Sequence, residues 1–281
     1  MATNRQTIAA RDLKKKIRLE NIVNRELRKY FAKLNTEFRK QYVNTRTIIT
    51  PDKYSEQMDD IIFKHYQRVA KVYSGEILEE VKNVGFGFRE TKAIEDEIVN
   101  ADERFVAVQS AVRSGIINNT TEEKLNSIIN TITVNAIEVG QALTAVEVAA
   151  LASKEFSRSG VNRSNIISMT ETQNAAEGIK FTEANTVVGS AQQLPDGTFV
   201  SGAVYEWNAV LDSRTRPAHV TADGQRRDFN AGEVFNVGGE ELRYPGDSSL
   251  GASAWNTINC RCLASYALSS EELAFEAEAA S

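Results

Sequence analysis

Three residues of this chain carry side chains suited to holding a soft divalent cation: His219, Cys260 and Cys262. The cysteines, the only two in the protein, stand one residue apart in Asn259-Cys260-Arg261-Cys262. On an extended strand, residues two apart project from the same face, so both sulfurs can reach one ion. Thiolates and a neutral imidazole are natural Zn²⁺ ligands, and a closed structural site normally uses four such groups. Three leave the site one short, to be completed by Asp212, Asp247 or water. The metal-free alternative makes the cysteines small buried hydrophobes and His219 a hydrogen-bonded core residue. Arg216, close by in sequence, would repel a cation.

A second group lies in Asp212-Ser213-Arg214-Thr215-Arg216-Pro217. Asp212, near a strand end, can accept from the following backbone amides and shape a turn. Arg214 and Arg216 can then pair bidentately with buried carboxylates such as Glu171 or Asp223, or they can form an anion site. His219, Glu171 and the cysteines are also residue types used in acid–base and nucleophilic catalysis. A zinc with water in its fourth position would make a hydrolytic site. No HExxH, P-loop or dinucleotide fingerprint accompanies them.

Asp212-Ser213-Arg214-Thr215-Arg216-Pro217, His219, Asp223-Gly224 and Asn259-Cys260-Arg261-Cys262, in that order, resemble the C-terminal domain of the phage head-morphogenesis, or minor head protein, family typified by Mu protein F. Ser168-Met169-Thr170-Glu171-Thr172 is similar to an R-T-E-T-like segment found upstream in many members. The likeness covers roughly residues 150 to 268. Many relatives have C-P-x-C where this chain has Arg216-Pro217-Ala218-His219, and H-P-N-C-R-C where it has Thr257-Ile258-Asn259-Cys260-Arg261-Cys262. The resemblance implies a structural protein of a tailed-phage head, made in the host cytoplasm and built into the virion near the portal. Implied partners are the portal protein and the major capsid or scaffolding protein, and the implied work is head assembly and DNA packaging, retention or ejection. Trp207, Asp212, Arg214, Arg216, Asp223, Gly224 and Asn259 would then be the structural motif of the module, without a catalytic role.

Composition bounds the alternatives. At 281 residues the chain can bury a real core, and 42% hydrophobic with 25% charged residues is ordinary for a globular protein. No apolar run approaches the length of a membrane-spanning helix, and Met1-Ala-Thr-Asn-Arg-Gln lacks the apolar core of a secretory signal. The net charge of −5 hides a division, since residues 1–50 hold 13 Lys+Arg against 4 Asp+Glu. Lys14, Lys15, Lys16 and Arg18 therefore read as a docking surface for genomic DNA, without sequence preference, or for an acidic partner. A solvated helix face is the plainer alternative.

These groups need elements to position them. Only Pro51 interrupts residues 1–190, which permits long helices. Leu27, Tyr30, Phe31, Leu34, Phe38 and Tyr42 have helical spacing, as do Met58, Ile61, Ile62, Tyr66, Val69, Val72, Tyr73, Ile77 and Val81. Gly85-Phe86-Gly87-Phe88 breaks the pattern, and a helix is expected over about 94–112. Thr120 and Glu123 form a capping-box signal for another helix, ending at Ser157-Arg158-Ser159-Gly160. A further helix over about 164–184 would carry Glu171. Pro195-Asp196-Gly197 marks a turn, strands are expected within 198–211, and Val234–Val237 with Leu242–Tyr244 flank Gly238-Gly239 as a hairpin. The expected class is α+β: a helical region over 1–155 with a basic arm (1–50), a module with short strands over 156–268, and an acidic tail over 269–281.

Overall fold

A computed structural model of the protein describes residues 2–48, 52–83, 91–190, 203–228 and 232–268. The expected glycine-rich break at 85–88, the turn at 195–197 and the acidic tail lie outside them. Five helices come first: α1 (Ala2–Thr45), α2 (Asp52–Tyr73), α3 (Glu76–Asn83), α4 (Thr91–Glu138) and α5 (Ala145–Ser190). Short elements follow: β1 (Ala203–Asn208), α6 (Pro217–Ala222), β2 (Arg226–Asp228), β3 (Phe235–Val237), β4 (Glu240–Leu242), α7 (Ala254–Thr257) and β5 (Leu263–Leu268). The class is α+β, as the proline distribution and periodicity imply. No helix among the described residues is long and apolar enough to cross a membrane.

The α4–α5 boundary differs from expectation. Thr120 and Glu123 lie inside α4, where the Thr120 hydroxyl donates back to the carbonyls of Ile116 and Ile117 (2.8 and 3.2 Å). The helix ends instead at Gly140, with φ +68°, where Gly140 N–H donates to Ile137 O and Gln141 N–H to Ala136 O. These are the paired bonds of a Schellman stop. Thr144 and Glu147 then form the capping box that starts α5: the Thr144 amide donates to Oε2 of Glu147 (2.8 Å), and the Glu147 amide to the Thr144 hydroxyl (3.3 Å). Gly160 lies within α5, so the expected stop at 157–160 and a boundary at 155/156 fall inside one helix.

Contacts group the chain into two discontinuous units. One holds residues 17–66 and 107–171. Its apolar face comprises Leu27, Phe31, Phe38, Met58, Ile62, Leu125 and Phe156, all buried at helical spacing. Phe31 meets Phe156 edge-on with ring centroids 6.2 Å apart. Charge is buried here too. Glu171 accepts three hydrogen bonds from Arg113 (2.8–3.1 Å) and one from the Tyr66 hydroxyl (3.0 Å).

The other unit holds residues 1–16, 67–106 and 172–281. Its strands form a three-stranded antiparallel sheet in the order β2-β1-β5 and a separate β3–β4 hairpin. Within it, Tyr205 pairs with Tyr266 and Trp207 with Ala264 across β1 and β5. Alternation puts Tyr205 and Trp207 on the same face of β1, and both are buried with Phe235, Val237, Leu242, Ala222, Cys260 and Cys262. Gly238 and Gly239, at positive φ, make the expected hairpin turn, but the second strand is Glu240–Leu242 and not Leu242–Tyr244, because the two glycines alone complete the turn.

Candidate metal centre

Two irregular segments between β1 and β5 in the chain, one leaving β1 and one entering β5, build the site. The first leaves β1 at Asn208. The Ala209 amide donates to Oδ1 of Asp223 (2.7 Å), and the Gly224 amide donates to Trp207 O (2.8 Å). Gly224 sits at φ +77°, a conformation that a Cβ would strain, so Asp223-Gly224 closes the loop back onto β1. Within the loop, Asp212 does form the expected Asx turn, accepting the Arg214 amide at 2.9 Å. Pro217 then opens α6, where its missing N–H costs nothing. That short helix presents His219, 2% exposed, edge-on to Trp207 with ring centroids 5.6 Å apart.

The second segment leaves α7 through Asn259, a non-glycine residue at φ +55°. The turn directs Cys260 and Cys262 into the core beneath Trp207, while Arg261 between them reaches Asp212. That pair is bidentate, at 2.7 and 2.6 Å, and joins the two motif segments across 49 residues of sequence. Its hydrogen bonds hold the Asp212 carboxyl well below the usual range and raise Arg261 in turn.

His219 Nδ1 lies 3.3 Å from Sγ of Cys262 and 3.7 Å from Sγ of Cys260. All three donor atoms fall within 4.8 Å of one another. A hydrogen bond from the Cys262 thiol, opposed by burial and assisted by His219, lowers Cys260 to about 5. The same Cys260–Cys262 hydrogen bond and burial raise Cys262. The two shifts run in opposite directions because one thiol donates to the other sulfur, and a bound cation would take the place of that shared proton. Buried His219 Nε2 has no partner among the described residues, so the ring is oriented by Trp207 and the sulfurs.

The donor set passes a simple test. Tetrahedral zinc with Zn–N near 2.0 Å and Zn–S near 2.3 Å places nitrogen and sulfur about 3.5 Å apart. The observed 3.3 and 3.7 Å bracket that length. Neither candidate fourth ligand joins the cluster. Asp212 is engaged by Arg261, and Asp247 accepts the amides of Arg243 (3.1 Å) and Ser249 (2.8 Å). The three donors instead line a shallow concavity of about 10 Å³, room for roughly one water molecule, whose other walls include Arg214, Arg216 and Arg261.

Several expected partners are different. Arg216 donates to Ile258 O at 2.6 Å and stacks on Trp255, and Arg214 approaches Asp212 at 3.6 Å. Neither pairs with Glu171, which Arg113 satisfies, or with Asp223, which caps Ala209 N. Trp207 is fully buried, but Trp255 is 67% exposed. Of the basic quartet, Lys14 and Arg18 are exposed and Lys15 pairs with Glu76. Lys16 is buried between Asp12 (3.0 Å), Glu177 (2.8 Å) and Gln173 (2.8 Å), which removes it from any docking surface.

Residues of α5 not singled out from the sequence hold the cysteine segment in place. Gln173 donates through Nε2 to Cys262 O (2.6 Å) and Pro245 O (3.3 Å), while Glu177 accepts the Ala264 amide (2.9 Å). Their signal was available: Gln173, Glu177 and Lys180 share one helix face in an otherwise alanine-rich stretch. Comparison with known proteins finds no matching family model, no matching curated protein and no matching solved structure.

Proposed function

We propose that this protein is a minor head protein of a tailed bacteriophage, joined to the nascent head at or near the portal and acting in DNA packaging, retention or ejection. The observation that carries the reading is the convergence of the motif residues. Asp212 meets Arg261, Arg216 meets the carbonyl of Ile258, and His219 meets Cys260 and Cys262. Segments far apart in sequence, which together bear the family resemblance, thus make one cross-braced unit. Such bracing suits a small module whose work is mechanical and whose loops have little regular pairing.

Within that unit His219 Nδ1 and the two sulfurs would hold zinc. Bound zinc supplies a cross-link between α6 and the segment entering β5. The chain's own residues do the rest: Trp207 orients the imidazole, Arg261 anchors the Cys-x-Cys turn to Asp212, and Gln173 fixes the Cys262 carbonyl.

The protein should copurify with portal and procapsids at a copy number far below that of the major capsid protein. Deleting its gene should leave heads that assemble but lose DNA or infectivity. Normal titre after deletion, with the protein absent from procapsids and virions, would overturn the reading. Purified protein should contain one zinc per chain, and Cys262→Ser should lose it. A set of three donors with space for a water beside them favours a second reading, a zinc hydrolase or effector delivered with the genome. Hydrolytic activity lost on chelation and restored by zinc would select it.

A further inference from the structure

We propose that the outer face of the cysteine–histidine module binds single-stranded nucleic acid, stacking an unpaired base on Trp255 while phosphates sit against Arg214 and Arg216. Trp255 is the most exposed aromatic side chain among the described residues with large exposed hydrophobics, at 67%. A large exposed indole is a surface on which a planar ligand can stack. The Arg216 guanidinium lies over the ring, 5.4 Å from its centroid, and has no ion pair among the described residues. Arg216 also lines the concavity described above, together with Arg214 and Arg261. The Arg214 side chain is 70% exposed and its contact with Asp212 is long, at 3.6 Å. Arg261 is the one guanidinium fully engaged, by Asp212. The face therefore offers an aromatic platform continuous with two incompletely neutralised arginines.

That combination fits one chemistry. Bases stack on tryptophan whatever their identity, and arginines track the phosphate backbone. Duplex DNA hides its base faces, so it can use the arginines but not the ring. An acidic peptide supplies charge without an aromatic plane to stack. The site uses neither Lys14 nor Arg18, and it does not depend on the head-protein reading or on bound metal.

Tryptophan fluorescence of the full-length protein tests it, because Trp207 is fully buried and Trp255 is the ring a ligand can reach. Titration at low salt with an oligothymidylate of about 12 nucleotides should quench Trp255 emission. Trp255→Ala should weaken binding by roughly ten-fold or more, and Trp255→Phe should retain most of it. Arg214→Gln should weaken binding and flatten its salt dependence. Thymidine triphosphate in place of the oligonucleotide separates a free-nucleotide site from a strand-binding one; equal quenching at equal phosphate concentration would overturn the strand assignment. The proposal also fails if oligothymidylate leaves the emission unchanged, if duplex DNA quenches as well, or if polyglutamate quenches instead. Unchanged affinity in a Trp255→Ala protein with native circular dichroism would refute the stacking role directly.

Discussion

Replacing Glu171 by alanine should be among the most destabilising single changes in the unit built from residues 17–66 and 107–171. Glu171 is 2% exposed and Arg113 8%. The carboxylate accepts three hydrogen bonds from the guanidinium and a fourth from Tyr66. Alanine would leave a buried guanidinium without its counter-charge, which costs about 3–5 kcal/mol. For a unit of this size, about 115 residues, each kcal/mol lowers Tm by roughly 4 °C, so a fall on the order of 15 °C is expected. Removing both partners in Glu171→Leu/Arg113→Met/Tyr66→Phe should restore most of the loss, because no charge is then stranded. Calorimetry and urea unfolding of wild type, Glu171→Ala and the triple variant read both effects. A Glu171→Ala cost below about 1 kcal/mol would mean that water reaches the pair and that the burial argument is wrong. Should the triple variant be as unstable as Glu171→Ala, hydrogen bonding or shape, and not stranded charge, sets the cost.

Stability should fall as pH rises from about 4 to 7. Burial raises Glu183 to about 7 and Asp102 to about 6. The folded state therefore holds protons that the unfolded chain has released, and the stabilisation present at low pH is lost as these groups ionise. Urea unfolding across that range should show a loss on the order of a few kcal/mol, and Asp102→Asn should flatten it. Gln173→Ala should strand the carbonyls of Cys262 and Pro245 and weaken the Lys16 site, costing roughly 2–4 kcal/mol and speeding reaction of Cys262 with a thiol reagent. An unaltered thiol rate would show that Gln173 does not hold that segment. Chelation of zinc should likewise expose the thiols to reagent while leaving far-ultraviolet circular dichroism unchanged; loss of helix signal on chelation would contradict a preshaped site.

Helices were legible where burial selects them. Met58, Ile62, Tyr66, Val69 and Tyr73 recur at three or four residues and are all buried, so periodicity reports the real packing face. Boundaries were less legible, because two capping boxes compete within 28 residues. Thr120-Thr121-Glu122-Glu123 and Thr144-Ala145-Val146-Glu147 obey the same rule. Gly115 precedes the first and stays within α4, whereas Gly140 precedes the second at positive φ and stops the helix. The first is absorbed because Arg163 donates to the hydroxyls of Thr120 and Thr121 and to Ile117 O, satisfying polar groups in mid-helix. The Cys–His group was legible from scarcity and spacing. The partners of Arg214 and Arg216 were not, since chain proximity cannot reveal that Arg261, the residue between the cysteines, outcompetes both for Asp212.

The least legible residues are those that decide how the cysteines are presented. The chain from Tyr244 to Cys262 has little regular pairing, yet Asp247, Asn256, Thr257, Cys260 and Cys262 within it are buried. Buried backbone groups without ladder partners must be satisfied by side chains. Gln173 and Glu177 do this for Cys262 O, Pro245 O and Ala264 N, and Lys16 and Lys180 balance the charges that Glu177 and Asp12 bring into the core. Such residues look like an ordinary polar helix face in sequence, because polarity reads as solvent exposure when burial is unknown. Their consequence for the metal reading is energetic. A site assembled by zinc alone draws its folding energy from the ion. Here the Cys262 carbonyl, the Asn259 turn and the Asp212–Arg261 bridge already fix the cysteine segment, so zinc would add local rigidity to a scaffold that the protein's own hydrogen bonds have set.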